Sequence, residues 1–145
     1  MKNAKNICLL IGIVLNLVII IRNIIFFVYS IIENPNPKPI QNTLIIVTSI
    51  LLTAIPIVLF VRNLKNKSGK ALPIICIIIN AGYILDILYS VFIISVPQYL
   101  TISKVGLLDT YLTVIMNFIT NGGILVVIGC VLLIIGSVLS CLKKE

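Results

Sequence analysis

Four long apolar runs constrain what this chain can fold into. A helix that crosses the hydrocarbon core of a bilayer needs about 20 mainly apolar residues, and each run approaches or exceeds that length. The 145-residue chain is 60% hydrophobic and only 10% charged. That is too little charge to cover the surface of a soluble domain. The sequence therefore predicts an all-α integral membrane protein.

The four predicted spans form a single membrane domain, residues 1–145, arranged as a four-transmembrane-helix bundle. The basic start and apolar core of the first run are typical of a signal peptide. The run lacks a small-residue cleavage site and continues past Arg22, so a retained first helix is expected. Prolines end the first run, at 35, 37 and 39, and close the third at 97. The spans are predicted at about 7–32, 43–61, 71–96 and 123–142.

The distribution of positive charge predicts the orientation of the bundle. The net charge is +7, and most cations lie in three basic segments, around 2–5, 62–70 and 143–144. Four crossings place all three segments on one side of the membrane. Because basic loops stay in the cytoplasm, both termini are expected there, in a multi-pass protein of the cell membrane. Abundant Ile, Asn and Lys without Trp favour an AT-rich, plausibly bacterial genome.

The segment 104–121 has the pattern of an amphipathic helix, with Thr and Asn residues on one face. Asn121, Gly122 and Gly123 then form a strong helix-breaking sequence. Two interpretations remain open. The segment is either a helix on the outer membrane interface before the last span, which is the favoured interpretation, or the upper part of a long, kinked last span.

Two charges within the apolar runs are candidate functional residues. Arg22 lies 15 residues into the first run, counted from Ile7, and Asp86 lies 15 residues into the third, counted from Ala71. The two spans run in the same direction, so the charges lie at matched depth. An unpaired charge in the membrane costs on the order of 3 kcal/mol on insertion scales. An Arg22–Asp86 ion pair is therefore predicted to join the two spans.

Other polar residues support this predicted pair. Asn16 and Asn80 each lie nine residues into the same two spans, and Tyr83 and Tyr89 flank Asp86 on roughly the same helical face. Two alternatives remain for the charges. Arg22 can extend to the headgroups, and Asp86 can be protonated and hydrogen-bonded to a tyrosine or to Ser90.

Small residues recur in the last run. Gly122, Gly129 and Gly136 follow one another at intervals of seven, and Ser140 comes four residues later. Such a stripe lets a second helix approach closely. The expected neighbour is another helix of the same chain, and a second copy is the alternative.

The sequence has few of the residues and motifs that catalysis or cofactor binding would need. The chain has no histidine, only four acidic residues, and no nucleophile motif or phosphate-binding loop. The four cysteines lie in apolar segments without metal-ligand spacing and are expected to be small buried hydrophobes. No enzyme activity, cofactor or metal is expected. Nucleic-acid binding is not expected either, because no aromatic-interleaved basic patch is present.

Two classes of function remain. The first is a non-catalytic membrane protein, an accessory, scaffold or immunity-type subunit, that acts by helix packing with a larger membrane protein in the lipid bilayer. The second is a small transporter or channel, formed by self-association, that uses Asp86 or Arg22 within the membrane.

Overall fold

The structure, a computed structural model, is helical throughout the part of the chain that it describes. That part comprises residues 2–33, 39–65, 69–95, 97–98 and 106–142, with some side chains of the first two helices, Arg22 among them, outside it. The all-α prediction is confirmed, and these ranges contain no strand. The elements are α1 (Lys2–Glu33), α2 (Pro39–Leu64), α3 (Ala71–Tyr89), a π-helical segment (Ser90–Ser95), α4 (Leu107–Thr120) and α5 (Gly123–Cys141).

Two of the helices are long and apolar enough to cross a membrane. One comprises α3 and the start of the π-helical segment, Ala71–Ile93, and the other is α5. Proline at position 73 lies in the first turn of α3, where its missing N–H leaves no hydrogen bond unmade. Both helices coincide with predicted spans. The described part of α1 and α2 contains shorter apolar stretches, Asn3–Val18 and Ile50–Leu64.

Helix α5 is the common neighbour of α1 and α3. Both helices pack along it, α1 also packs against α2, and the described parts of α1 and α3 do not pack directly on each other. Side chains from four helices meet in one apolar cluster, which contains Leu9, Leu59, Cys76 and Leu133. A second cluster, around Val126 and Cys130, joins α5 to α3 alone.

The contact between α1 and α5 is close because glycines line it. A Cβ atom on Gly12 would lie 2.9 Å from the backbone oxygen of Gly129 and 2.8 Å from Cγ of Leu133. A Cβ on Gly136 would lie 2.7 Å from Cγ of Leu9. Leu9 on α1 meets Gly136 on α5, whereas Gly12, further along α1, meets the earlier residue Leu133. The two helices are therefore antiparallel. Their backbones approach to a distance that only glycine permits.

Helices α4 and α5 are separate elements. Helix α4 ends at Thr120, and Gly122 then adopts a left-handed conformation, with φ 76°, before α5 begins. The ring of Phe118 lies over Gly123, where a Cβ atom would collide with it. At its other end α4 contacts the π-helical segment through Phe92 and Tyr111, whose ring centroids are 6.5 Å apart. The left-handed glycine turn therefore divides the polar-faced helix from the last span.

We expect Gly12→Ala to destabilise the protein by about 1–3 kcal/mol, the usual cost of overpacking, because backbone as well as side-chain atoms must move. Gly82→Ala is the matched control, since a Cβ there would meet nothing within 4 Å. Gly82→Ala should stabilise the protein by up to about 1 kcal/mol, because alanine has a higher helix propensity than glycine. Unfolding of the purified protein in detergent measures both changes. Equal stabilities of the two variants would contradict the close α1–α5 contact.

Candidate functional site

Polar side chains are buried along the faces by which α1, α2 and α3 meet α5. Asn16 is 4% exposed, while Asn80 and Ser137 are 0% exposed. Large apolar side chains instead occupy the outer faces of the same helices. Exposed apolar faces of this extent are not typical of a water-soluble helix bundle. The buried polar groups form three clusters, which we call the first, second and third polar groups and describe in order along α5.

The first polar group consists of Asn63 and Ser140, close to the end of α5. The amide of Asn63 on α2 donates to the hydroxyl oxygen of Ser140 at 2.9 Å. The Ser140 hydroxyl donates in turn to the Gly136 carbonyl at 2.7 Å. Ser140 therefore links α2 to α5 by a hydrogen bond.

The second polar group consists of Cys76, Asn80 and Ser137. The Asn80 amide nitrogen donates to the Cys76 carbonyl oxygen at 2.8 Å and lies 3.6 Å from the Cys76 sulfur. Ser137 on α5 lies beside the Cys76 thiol across the α3–α5 contact. The Ser137 hydroxyl itself donates to the Leu133 carbonyl at 2.7 Å.

The third polar group consists of Asn16, Tyr83 and Cys130. The Asn16 amide nitrogen on α1 lies 4.0 Å from the Cys130 sulfur on α5. The Asn16 oxygen lies against Gly129, 2.5 Å from where a Cβ on that glycine would be. Tyr83 packs against Cys130 from the α3 side. This group joins α1, α3 and α5 at one level.

Asp86 lies one helical turn beyond Tyr83 and is exposed. Tyr89, one turn further along, is also exposed. Asp86 is thus at the end of the row of polar side chains, at the edge of the packed face of α3.

The predicted Arg22–Asp86 pair stays a prediction, because the Arg22 side chain lies outside the described residues. The structure supplies two facts that bear on it. Helices α1 and α3 are both antiparallel to α5, so they run in the same direction. The described parts of both helices pack against α5.

The small residues of the last run have different surroundings. Gly129 and Gly136 lie against α1, facing Asn16 and Leu9 respectively. Gly122 is the left-handed residue before α5 and is not within the helix. Ser140 is half-buried and bonds to α2. Gly129 and Gly136 thus pack against α1, Gly122 belongs to a turn, and Ser140 forms a hydrogen bond between helices.

Sequence reasoning missed Cys76, Cys130, Ser137 and Asn63 as parts of the site. The sequence predicts that the two cysteines are small buried hydrophobes; both are buried, and each sulfur also approaches an asparagine amide nitrogen. One signal was present in the sequence: Cys76 precedes Asn80 by four residues, which places the two on one helical face. Ser137 and Ser140 likewise lie three residues apart.

Among the described residues, no three His, Cys, Asp or Glu side chains are close enough together to hold a metal ion. Comparison with known proteins gives no match to any family model, curated protein or solved structure.

A double-mutant cycle tests the predicted ion pair. We expect Arg22→Gln and Asp86→Asn to destabilise the protein singly and to cost less together, with a coupling free energy of about 1 kcal/mol or more. Each single change leaves one charge in the membrane without its partner. Unfolding in detergent is the measurement. Arg22→Gln with Asp109→Asn, a carboxylate on α4, is the control and should be additive. Additivity in both cycles would disprove the pair.

Proposed function

We propose that this chain is a multi-pass membrane protein without catalytic activity that acts by packing its helices against a membrane partner, as an accessory, scaffold or immunity-type subunit. The observation that carries the proposal is the outer face of α3. There, apolar side chains and one carboxylate share an exposed row that no other described helix covers.

The outer row of α3 consists of Ile75, Ile78, Gly82, Asp86 and Tyr89, at spacings of three, four, four and three residues. All five are exposed, and a Cβ on Gly82 would meet nothing within 4 Å. Lipid tails are suitable neighbours for isoleucine but not for a carboxyl group. A partner helix that supplies a cation or a hydrogen-bond donor beside Asp86 would remove that cost, and Gly82 leaves room for its backbone.

Exposed apolar side chains on the other helices support a location in the bilayer. Large examples lie on the outer faces of α1, α2 and α5, among them Val14, Val58 and Ile128. Exposed patches of this extent are not tolerated by a monomeric protein in water. We propose four crossings, by α1, α2, α3 with the π-helical segment, and α5, with both termini in the cytoplasm. Reporter fusions to the two termini test this orientation.

Helix α4 is proposed to lie at the outer membrane interface. Its exposed apolar row, Leu108, Leu112, Ile115 and Ile119, follows the spacing of one helical face. Polar residues occupy another face, and the hydroxyls of Thr113 and Thr120 donate to backbone carbonyls one turn back. The buried Thr110 anchors the third face to the rest of the protein. A helix with these faces fits the boundary between headgroups and acyl chains.

Site-specific photocrosslinking in native membranes tests the proposed role. A photoreactive side chain at position 78, where Ile78 is 64% exposed, should form one discrete adduct with a larger membrane protein. The same group at position 14 of α1, where Val14 is 51% exposed, is the matched control and should label lipid. Asp86→Leu should weaken the adduct at position 78. Identical products at the two positions would refute docking on α3.

A further inference from the structure

We propose that the three polar groups and Asp86 form a hydrated path for protons, with internal water molecules at Asn16 and Asn80. This inference goes beyond the helix-packing role: it concerns the inner face of α3 and shares only Asp86 with the outer row. The ligand class is water, and the transported species is the proton.

Two buried oxygens carry the inference. The side-chain oxygens of Asn16 and Asn80 are fully enclosed and have no hydrogen-bond partner among the described residues. Both residues are more than nine-tenths buried. A buried amide oxygen without a partner costs about 1–3 kcal/mol. A water molecule is the smallest donor that satisfies such an oxygen, and buried waters make about three hydrogen bonds with polar neighbours of this kind.

The positions of the two asparagines explain why water there would complete a path. Asn80 belongs to the second polar group, and Asn16 to the third. On α3, Asn80 lies between Cys76 and Tyr83, four residues after one and three before the other. The unpartnered oxygens therefore lie at the boundary between the second and third polar groups. Water at these positions would join hydrogen-bonded clusters that protein atoms alone leave separate.

The row of polar groups extends through a large part of the bilayer. From Cys76 to Asp86 there are ten residues, which is about 15 Å along a helix axis. The first polar group, Asn63 and Ser140, continues the row beyond Cys76 toward the end of α5. The row thus begins at an exposed carboxylate and ends beside the basic segment of the α2–α3 loop, where Lys65 and Lys70 are exposed.

The chemistry requires no cofactor. The Asp86 carboxylate accepts a proton from water on its exposed side and becomes a neutral acid. It then donates a proton inward, and each water or hydroxyl along the row accepts one proton and releases another. A proton leaves at the first polar group, and Asp86 is again a carboxylate. No bond other than O–H or S–H forms or breaks, and no electrons are transferred. Intramembrane carboxylates with polar chains serve as relays of this kind.

Proton flux into liposomes containing the purified full-length protein tests the proposal. A potassium gradient with valinomycin supplies the driving force, and an enclosed pH-sensitive dye reports proton entry. We expect Asn16→Leu, Asn80→Leu and Asp86→Asn each to lower the protein-dependent flux at least about tenfold, because one missing link interrupts a relay. Asn80→Ser keeps a polar group with room for water and should retain most of the flux.

Asn117→Leu on α4 is the matched control for the asparagine replacements. It makes the same chemical change away from the path and should leave the flux unchanged. The infrared S–H stretch of Cys76 and Cys130 supplies a second readout. In deuterated buffer these thiols should exchange within minutes in the wild type and much more slowly in Asn80→Leu. A Cys8→Ser, Cys141→Ser background removes the bands of the other two thiols.

Three results would overturn the proposal. The first is a wild-type flux no greater than that of the Asn16→Leu, Asn80→Leu double variant. The second is thiol exchange equally slow in the wild type and in Asn80→Leu, which would mean a dry interior. The third is rapid exchange without flux, which would mean isolated waters and no path. Circular dichroism of each variant is needed to establish that it is folded, because Asn→Leu removes an unpartnered buried oxygen but at position 80 also removes the hydrogen bond to the Cys76 carbonyl.

Discussion

In the bilayer that we propose, lipid offers a polar side chain no hydrogen-bond partner, and this constraint would account for the burial of polar groups between the helices. Asn16, Asn63, Asn80 and Ser137 lie against neighbouring helices, while isoleucine, leucine and valine occupy the outer faces. Helix α5 receives most of these polar contacts. Its glycines bring α1 close, and its Cys130 and serines provide hydrogen-bonding neighbours for α1, α2 and α3. The hydrophobic effect alone does not bring helices together in lipid, so such contacts and close packing specify which helices are neighbours.

Much of the helical layout is readable from the sequence because its signals are local. The ends of the apolar runs, the prolines and the Asn121-Gly122-Gly123 turn all act within a few residues. Helix α3 together with the π-helical segment, α4 and α5 begin and end within a few residues of where these signals predict. The residues that each side chain contacts on other helices cannot be predicted from such local signals. Asn16 and Asn80 lie at equal depth in their predicted spans, and in the structure each approaches a cysteine. Depth follows from counting residues, whereas the direction a side chain points depends on how the helix is rotated against its neighbours.

The two buried cysteines also show that the contacts of a side chain cannot be predicted from the sequence alone. In composition they are small hydrophobes, and Cys76 and Cys130 are indeed fully buried. Their sulfur atoms also face asparagine amides, which only the packing of α1, α3 and α5 reveals. The candidate site is therefore a property of helix contacts rather than of a motif. The two proposed roles use opposite faces of α3, with Asp86 at the boundary between them. One carboxylate can thus influence both partner docking and proton entry.

The central claim is that lipid covers the outer faces of these helices while their polar faces are enclosed by protein. Labelling of native membranes with a lipid-soluble carbene reagent, followed by mass spectrometry of α3 and α5, measures this most directly. The account predicts labelling at Ile78, Leu85 and Ile128 and protection at Cys76, Asn80 and Leu133, with helical periodicity. Uniform labelling of both sets, or protection of both sets from the lipid-soluble reagent, would contradict it.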